Sequence, residues 1–231
     1  MIRVFIGFDP RETAAFHALS HSIHAKTTEP TTIAPIALQH LGTIFTRQRD
    51  PLQSTDFSFT RFLAPYLCDY QGWALFLDCD MLFRDDIAKL WALRDARYAV
   101  MVVKHDYVPK GDTKFLGAVQ TKYAKKNWSS MMLLNNSRCR ALTPHYVNTA
   151  TGLELHQFKW LGDDSLIGEL PRRWNHLVGE YPYMADAGAV HFTMGGPYFN
   201  EYRNCDYAAE WFAARDAAAR VDQRSPEHVK A

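Results

Sequence analysis

The sequence predicts an α/β fold, with a mostly parallel central sheet flanked by helices. Three observations predict it. Trp73-Ala74-Leu75-Phe76-Leu77 is a short apolar run without alternation, the pattern of a strand buried on both faces. Strand-like and helix-like stretches alternate along the chain, as in βαβ units. Two carboxylates, Asp78 and Asp80, stand directly after the apolar run, and open α/β sheets bind ligands at the carboxyl ends of their strands.

Taken in order, Arg3 to Phe8 reads as the first strand. Asp9 is a good N-cap, Pro10 suits a first helical position, and Glu12 stands at the capping-box position. Ala15, Phe16, Leu19 and Ile23 then form one apolar face of a helix. The turn is neither GxGxxG nor GxxxxGK[ST], so dinucleotide and P-loop readings lose support. Thr31 to Leu38 reads as a second strand weakened by Pro35, and residues 42–57 as loop. Ser58 to Tyr70 has helical spacing, with Pro65 as a kink and Arg61 off the apolar stripe. After the central strand, Arg84-Asp85-Asp86 opens a helix buried through Ile87, Leu90 and Trp91. Tyr98 to Val103 is the next strand. Residues 104–126 form a long polar loop containing Gly111 and Gly117, and loops of that length tend to be functional. Trp128 to Asn135 is a strand, Thr143-Pro144 starts a helix, and Asp163 to Ile167 reads as another helix start. Ala189 to Phe192 is a short strand carrying His191. Tyr207 to about Val221 is a terminal helix. The expected layout is one domain over 1–222 with a frayed tail over 223–231.

The chain has 231 residues, 47% hydrophobic and 22% charged, with formal net charge +1. These values fit a soluble globular protein and give no electrostatic case for nucleic-acid binding. Cys68, Cys79, Cys139 and Cys205 are widely spaced, without a CxxC. That argues against a disulfide framework or a zinc site and fits a reducing compartment. The N-terminus lacks signal-peptide features, and no apolar run approaches the ~20 residues of a membrane span. The expected location is therefore cytoplasmic, with contact at the inner membrane face left open.

In an extended backbone, Asp78 and Asp80 point to the same side. Two hard oxygen ligands suit Mg²⁺ or Mn²⁺, and such a metal usually accompanies phosphate. The strand–Asp-x-Asp element, preceded by Phe59-Thr60-Arg61-Phe62-Leu63 and followed by Met81-Leu82-Phe83-Arg84-Asp85, resembles the metal-binding core of GT-A glycosyltransferases. It is most similar to glycosyltransferase family 8. The similarity continues through Leu133-Leu134-Asn135, Asp163-Asp164, Arg173-Trp174-Asn175 and His191-Phe192.

This resemblance implies a single GT-A domain that moves a sugar from a nucleotide-diphosphate donor, UDP-linked, to a glycan, glycolipid or other acceptor, with retention. It implies that Asp78, Asp80 and His191 hold Mn²⁺ or Mg²⁺, with Asp78 also near the donor ribose. Gly7, Phe8 and Asp9 would hold the base and ribose, and Arg61 would reach toward the sugar or diphosphate. Cys79 falls within the donor site, and Gly195 and Gly196 would offer backbone N–H groups to phosphate. The family's lysine at this last position is replaced by Gly196-Pro197, so either another cation, Arg203 or Arg11, replaces it, or phosphate contact is weaker. Asp163, and beside it Asp164, would face the donor sugar. Retention then proceeds through a covalent intermediate or through front-side attack on an ion pair. Trp128, Ser129 and Ser130 replace the family's Asn-Ala-Gly near the sugar. Lys104 and Asp106 begin the expected acceptor region. Lys122, Lys125 and Lys126 read first as a solvated face, and second as a surface for an anionic acceptor or membrane. Competing readings are a haloacid-dehalogenase-type phosphohydrolase, a nucleotidyltransferase and an inactive sugar- or nucleotide-binding module.

Overall fold

The structure is a computed structural model and describes residues 1–50, 53–109, 117 and 123–220. Gly111, Lys122 and the 223–231 tail lie outside the described residues. The large sheet has six strands: β1 (Ile2–Phe8), β2 (Thr31–Ala37), β3 (Trp73–Leu77), β5 (Val100–Val102), β6 (Met131–Asn135) and β7 (Ile167–Glu169). Their order is β2-β1-β3-β6-β5-β7. Five strands run one way and β6 runs against both its neighbours. The apolar run behaves as its pattern predicts: Ala74 to Leu77 are 0% exposed, because β3 is central and covered on both faces. Pro35 is tolerated because β2 is an edge strand, where one missing N–H breaks no inner ladder.

A smaller sheet packs beside it: β4 (Met81–Phe83), β9 (Ala189–His191) and β8 (His176–Leu177), in that order. Met81 stands opposite His191 in the β4–β9 register. The helices are α1 (Thr13–His24), α2 (Ile87–Trp91), α3 (Pro144–Thr149), α4 (Gly152–His156) and α5 (Ala208–Ala218). Leu19 and Ile23 of α1 belong to the main core. Ala18 belongs to a second core with Leu82, Val190, Phe192 and Trp211. One helix thus supports both sheets.

Three expected elements differ. Ser58 to Tyr70 is no helix but two 3-10 turns, Thr60–Leu63 and Tyr66–Cys68. Pro65 removes a helical donor and would clash with the carbonyl of Arg61, and Asp69 and Tyr70 take left-handed backbone at φ 50° and 55°. Asp163 does not open a helix. Its carboxylate accepts from the Ser165 N–H (2.8 Å) and hydroxyl (2.6 Å), and the 3-10 turn Asp164–Leu166 runs straight into β7. Gly168 in that strand lets Tyr98 and Met101 close in, since a Cβ there would lie 2.5 Å from the Tyr98 ring. Asp9 does cap, but it caps the 3-10 turn Pro10–Glu12 rather than α1. Glu12 forms no capping box; it is buried and accepts a hydrogen bond from the Tyr198 hydroxyl.

Candidate active site

Asp78 and Asp80 lie in the turn that joins β3 of the large sheet to β4 of the small one. The Asp78 N–H donates to the Ser130 carbonyl (2.8 Å) and the Phe192 N–H donates to the Asp80 carbonyl (2.9 Å), so both sheets fix the turn. His191 ends β9, with Nε2 3.3 Å from Asp80 Oδ1. One ligand atom each from Asp78, Asp80 and His191 lies within 4.8 Å of the others. Two hard carboxylate oxygens and an imidazole nitrogen at this spacing fit Mn²⁺ or Mg²⁺.

These three residues line one side of a cavity of about 420 Å³. The Arg61 guanidinium lies on its wall, 2.7 Å from Asp78 Oδ1 and donating to the Ser129 carbonyl (3.0 Å). It is sandwiched near the rings of Phe57 and Phe76, at 5.3 and 5.2 Å. Ser129 Oγ lies 2.7 Å from His156 Nδ1, at the end of α4. Lys126, Asn127, Tyr123 and Thr193 also line the cavity, as do Gln53, Ser54, Thr55 and Ser58. Burial lifts the Tyr123 phenol to about 12, so this hydroxyl stays a neutral donor.

The structure thus brings together Arg61, Asp78, Asp80, Ser129, Ser130 and His191 from the expected set. The others differ. Phe8 packs edge-on against Phe16, with ring centroids 5.6 Å apart, and Phe57 rather than Phe8 lines the cavity, with Phe59 and Tyr123. Gly7 supports Phe57: a Cβ at Gly7 would lie 2.3 Å from that ring. Asp9 is 1% exposed and cannot reach a ligand. Its oxygens accept from the Arg11 side chain and from the N–H groups of Arg11 and Asp56. Burial alone would raise this carboxyl, but these bonds outweigh it and hold it below its ordinary value. Arg11 in turn donates to the Ser54 carbonyl (2.6 Å), so the pair shapes the loop carrying Ser54.

Cys79 alternates away from the two aspartates into the core, and burial pushes its thiol well up. Gly195 and Gly196 are buried off the cavity wall. The Gly195 N–H already donates to the Phe192 carbonyl (2.8 Å), and its φ of 143° requires glycine. Arg203 stacks on Phe212 at 5.3 Å. Asp163 and Asp164 are exposed and off the wall; Asp164 pairs with Lys125 at 2.6 Å. Trp128 donates its indole N–H to the His105 carbonyl (2.9 Å) rather than facing the cavity. Lys104 lies 5.8 Å from the Trp128 ring and Asp106 is exposed, both off the wall.

Lys126 corrects the reading of its cluster as a solvated face: it is buried and lines the cavity. His156 was missed in the sequence; the signal for it is the capping box Thr151-x-x-Glu154, which opens α4 and places His156 at its end. Nothing in the sequence marks Gln53 to Ser58 as cavity wall.

His105 carries a pH dependence. Burial, with help from nearby positive groups, drives its imidazole down to about 3, against 6.5 for an unperturbed histidine. The unfolded chain therefore binds the extra proton below pH 6.5 and the folded chain does not. Stability is full above that pH and falls by about 1.4 kcal/mol per unit as pH drops toward 3 from this group alone. Melting curves across pH 4–7 should show a shallower decline in His105→Asn than in the parent.

The family profile described as Glycosyl transferase family 8 matches residues 14–152. Protein CDI of Arabidopsis thaliana is 44% identical over 237 residues, covering 99% of this chain and 91% of that protein. The chain belongs to glycosyl transferase family 8. The solved galactosyltransferase LgtC, in complex with donor and acceptor sugar analogs, superposes with a TM-score of 0.61 at 10% identity, over 96% of this chain and 98% of that one. GlyE of Streptococcus pneumoniae TIGR4 superposes at 0.61 and 12% identity, over 93% and 60%. Mouse xyloside xylosyltransferase 1 superposes at 0.53 and 11%, over 84% and 99%. At such identities the likeness is one of fold, and that fold is GT-A. This family 8 chain is a glycosyltransferase that uses a nucleotide-sugar donor, and the phosphohydrolase reading is not favoured. The profile match spans Arg61, Asp78, Asp80 and Lys126 but stops short of His191, whose place at the site rests on geometry. Among the described residues, no helix is long and apolar enough to cross a membrane.

Proposed function

We propose that this enzyme transfers a hexosyl group from a UDP-linked donor to a glycan or glycolipid in the cytoplasm, with retention, using Mn²⁺ or Mg²⁺ held by Asp78, Asp80 and His191. The observation that carries the reading is the convergence of these three side chains, within 4.8 Å, on the wall of a cavity large enough for a nucleotide sugar. When bound, the cation supplies Lewis-acid stabilisation of charge on the departing diphosphate. Arg61 holds the Asp78 carboxylate in position through their ion pair. Lys126 is the cation placed to meet the diphosphate, in the role expected of Arg11 or Arg203. The Ser54–Asp56 loop, held by Asp9 and Arg11, takes the base end.

Carboxylates on the wall, among the described residues, are Asp50, Asp78 and Asp80. In this reading Asp78 and Asp80 belong to the metal, Asp50 is the remaining wall carboxylate among the described residues, and transfer proceeds by front-side attack. The C1–O bond breaks with its electron pair going to the diphosphate. The acceptor oxygen bonds C1 from the same face and passes its proton to the departing phosphate oxygen.

Thermal stability across a nucleoside diphosphate panel, with and without Mn²⁺, tests this. UDP should raise the melting temperature only with the metal, by mass action on the folded state. No response to any nucleotide, together with turnover of a generic phosphate ester, would overturn it. Lys126→Met should lower kcat/KM for donor hydrolysis by ~100-fold, as removal of one preorganised charge-stabilising group does. It should leave Mn²⁺ affinity in the absence of donor unchanged, measured by titration.

A further inference from the structure

Behind the proposed metal site runs a relay of hydrogen bonds whose direction can be read atom by atom. The Asn127 backbone carbonyl only accepts, so the Ser130 hydroxyl, 2.7 Å away, gives its single proton there. Ser130 Oγ is then the acceptor for Asn175 Nδ2 at 2.9 Å. That turns the Asn175 amide oxygen toward His191 Nδ1, 3.1 Å away. An amide oxygen only accepts, so Nδ1 carries the proton. In the neutral imidazole the lone pair is therefore on Nε2, the nitrogen facing Asp80. Ser130, Asn175 and His191 are 2%, 0% and 2% exposed, so water does not compete for these bonds. The origin of the relay is itself fixed. Asn127 takes left-handed backbone at φ 62°, and its side chain donates to Tyr107 Oη (2.6 Å) and Thr193 Oγ1 (3.0 Å).

We propose that Asn175 is a positioning residue that holds His191 as the Nδ1–H tautomer, with Ser130 setting the direction of its amide, and so governs the cation affinity of the site. This rests on the metal-site reading above. With Nε2 bare, the lone pair and two carboxylates converge on one point, an arrangement made for a cation. Without the relay, the proton can move to Nε2, where it bonds Asp80 and blocks the metal. Groups that orient a ligating histidine typically carry 10–100-fold in metal affinity.

The test uses the full chain with ¹⁵N-labelled histidine. Long-range ¹H–¹⁵N correlation at alkaline pH, without metal, reads the tautomer of His191, and Mn²⁺ titration followed by electron paramagnetic resonance reads affinity. The parent should show Nδ1–H. Asn175→Leu should shift His191 toward Nε2–H and weaken Mn²⁺ by ~10–100-fold. Asn175→Asp, which keeps an acceptor at Nδ1, should retain the parent tautomer. Ser130→Ala reads the same relay from its other end should the leucine variant fail to fold; a mixed tautomer and weaker Mn²⁺ binding are expected. A parent with Nε2–H, or variants with parental tautomer and affinity, would overturn the proposal. If the parent binds no Mn²⁺, the metal reading fails, while the tautomer still decides whether Asn175 orients His191.

Discussion

Asp80→Ala is expected to abolish Mn²⁺ binding and to lower kcat/KM for the nucleotide sugar by at least about a thousandfold, with the fold intact. The magnitude follows from the several kcal/mol that a Lewis acid contributes to a developing diphosphate charge, at about 1.36 kcal/mol per factor of ten. The backbone carbonyl of this residue, which accepts from the Phe192 N–H, is untouched by the substitution. Titration with Mn²⁺, melting curves and steady-state donor hydrolysis on the same preparation check all three statements. Parental activity in the variant would remove Asp80 from the site.

Arg61→Met is expected to cost about 3–5 kcal/mol of stability in the absence of metal, the usual effect of removing one partner of a buried ion pair. The guanidinium is 7% exposed and faces Asp78 at 2.7 Å. It also satisfies the carbonyls of Phe57 (3.2 Å) and Ser129 (3.0 Å). The variant loses all three contacts and keeps the carboxylate. Mn²⁺ supplies the missing positive charge at Asp78, so it should raise the melting temperature more in Arg61→Met than in the parent. Equal metal-induced shifts in the two proteins would mean that Arg61 and the metal do not share Asp78.

Much of the layout was legible because it rests on local rules. The run Trp73–Leu77 admits few readings other than a covered strand, and Asp86 and Thr143 each cap the helix that follows them. The grouping of Asp78, Asp80 and His191 was legible through the family resemblance, and the fold brings one ligand atom from each within 4.8 Å. The site was not legible where function depends on what a side chain does after long-range packing. Asp9 looks like a base-binding carboxylate until Arg11 and the Asp56 N–H enclose it. Lys126 looks solvated until the chain closes over it, while its neighbour Lys125 pairs with Asp164. Asp163 and Asp164 have the composition of a catalytic or helix-opening pair, but the side-chain bonds of Asp163 to Ser165 and the apolar Leu166-Ile167 step turn the chain into a sheet edge instead. Asn175 offers no signal until the fold places its amide between Ser130 and His191.

The turn carrying Asp78 and Asp80 belongs to both sheets, and His191 lies on the smaller one, which gives Met81, Phe83 and Ala189 to the main core and Leu82 and Val190 to the second. A cation bound there would clasp the smaller sheet to the larger one. The opening of β8, β9 and α5 as a cooperative unit would then release the cation, and its binding would oppose that opening. Amide exchange in these elements should slow with Mn²⁺ while the centre of β3 keeps its own rate, so the state of the donor site is reported by peptide groups that never touch the donor.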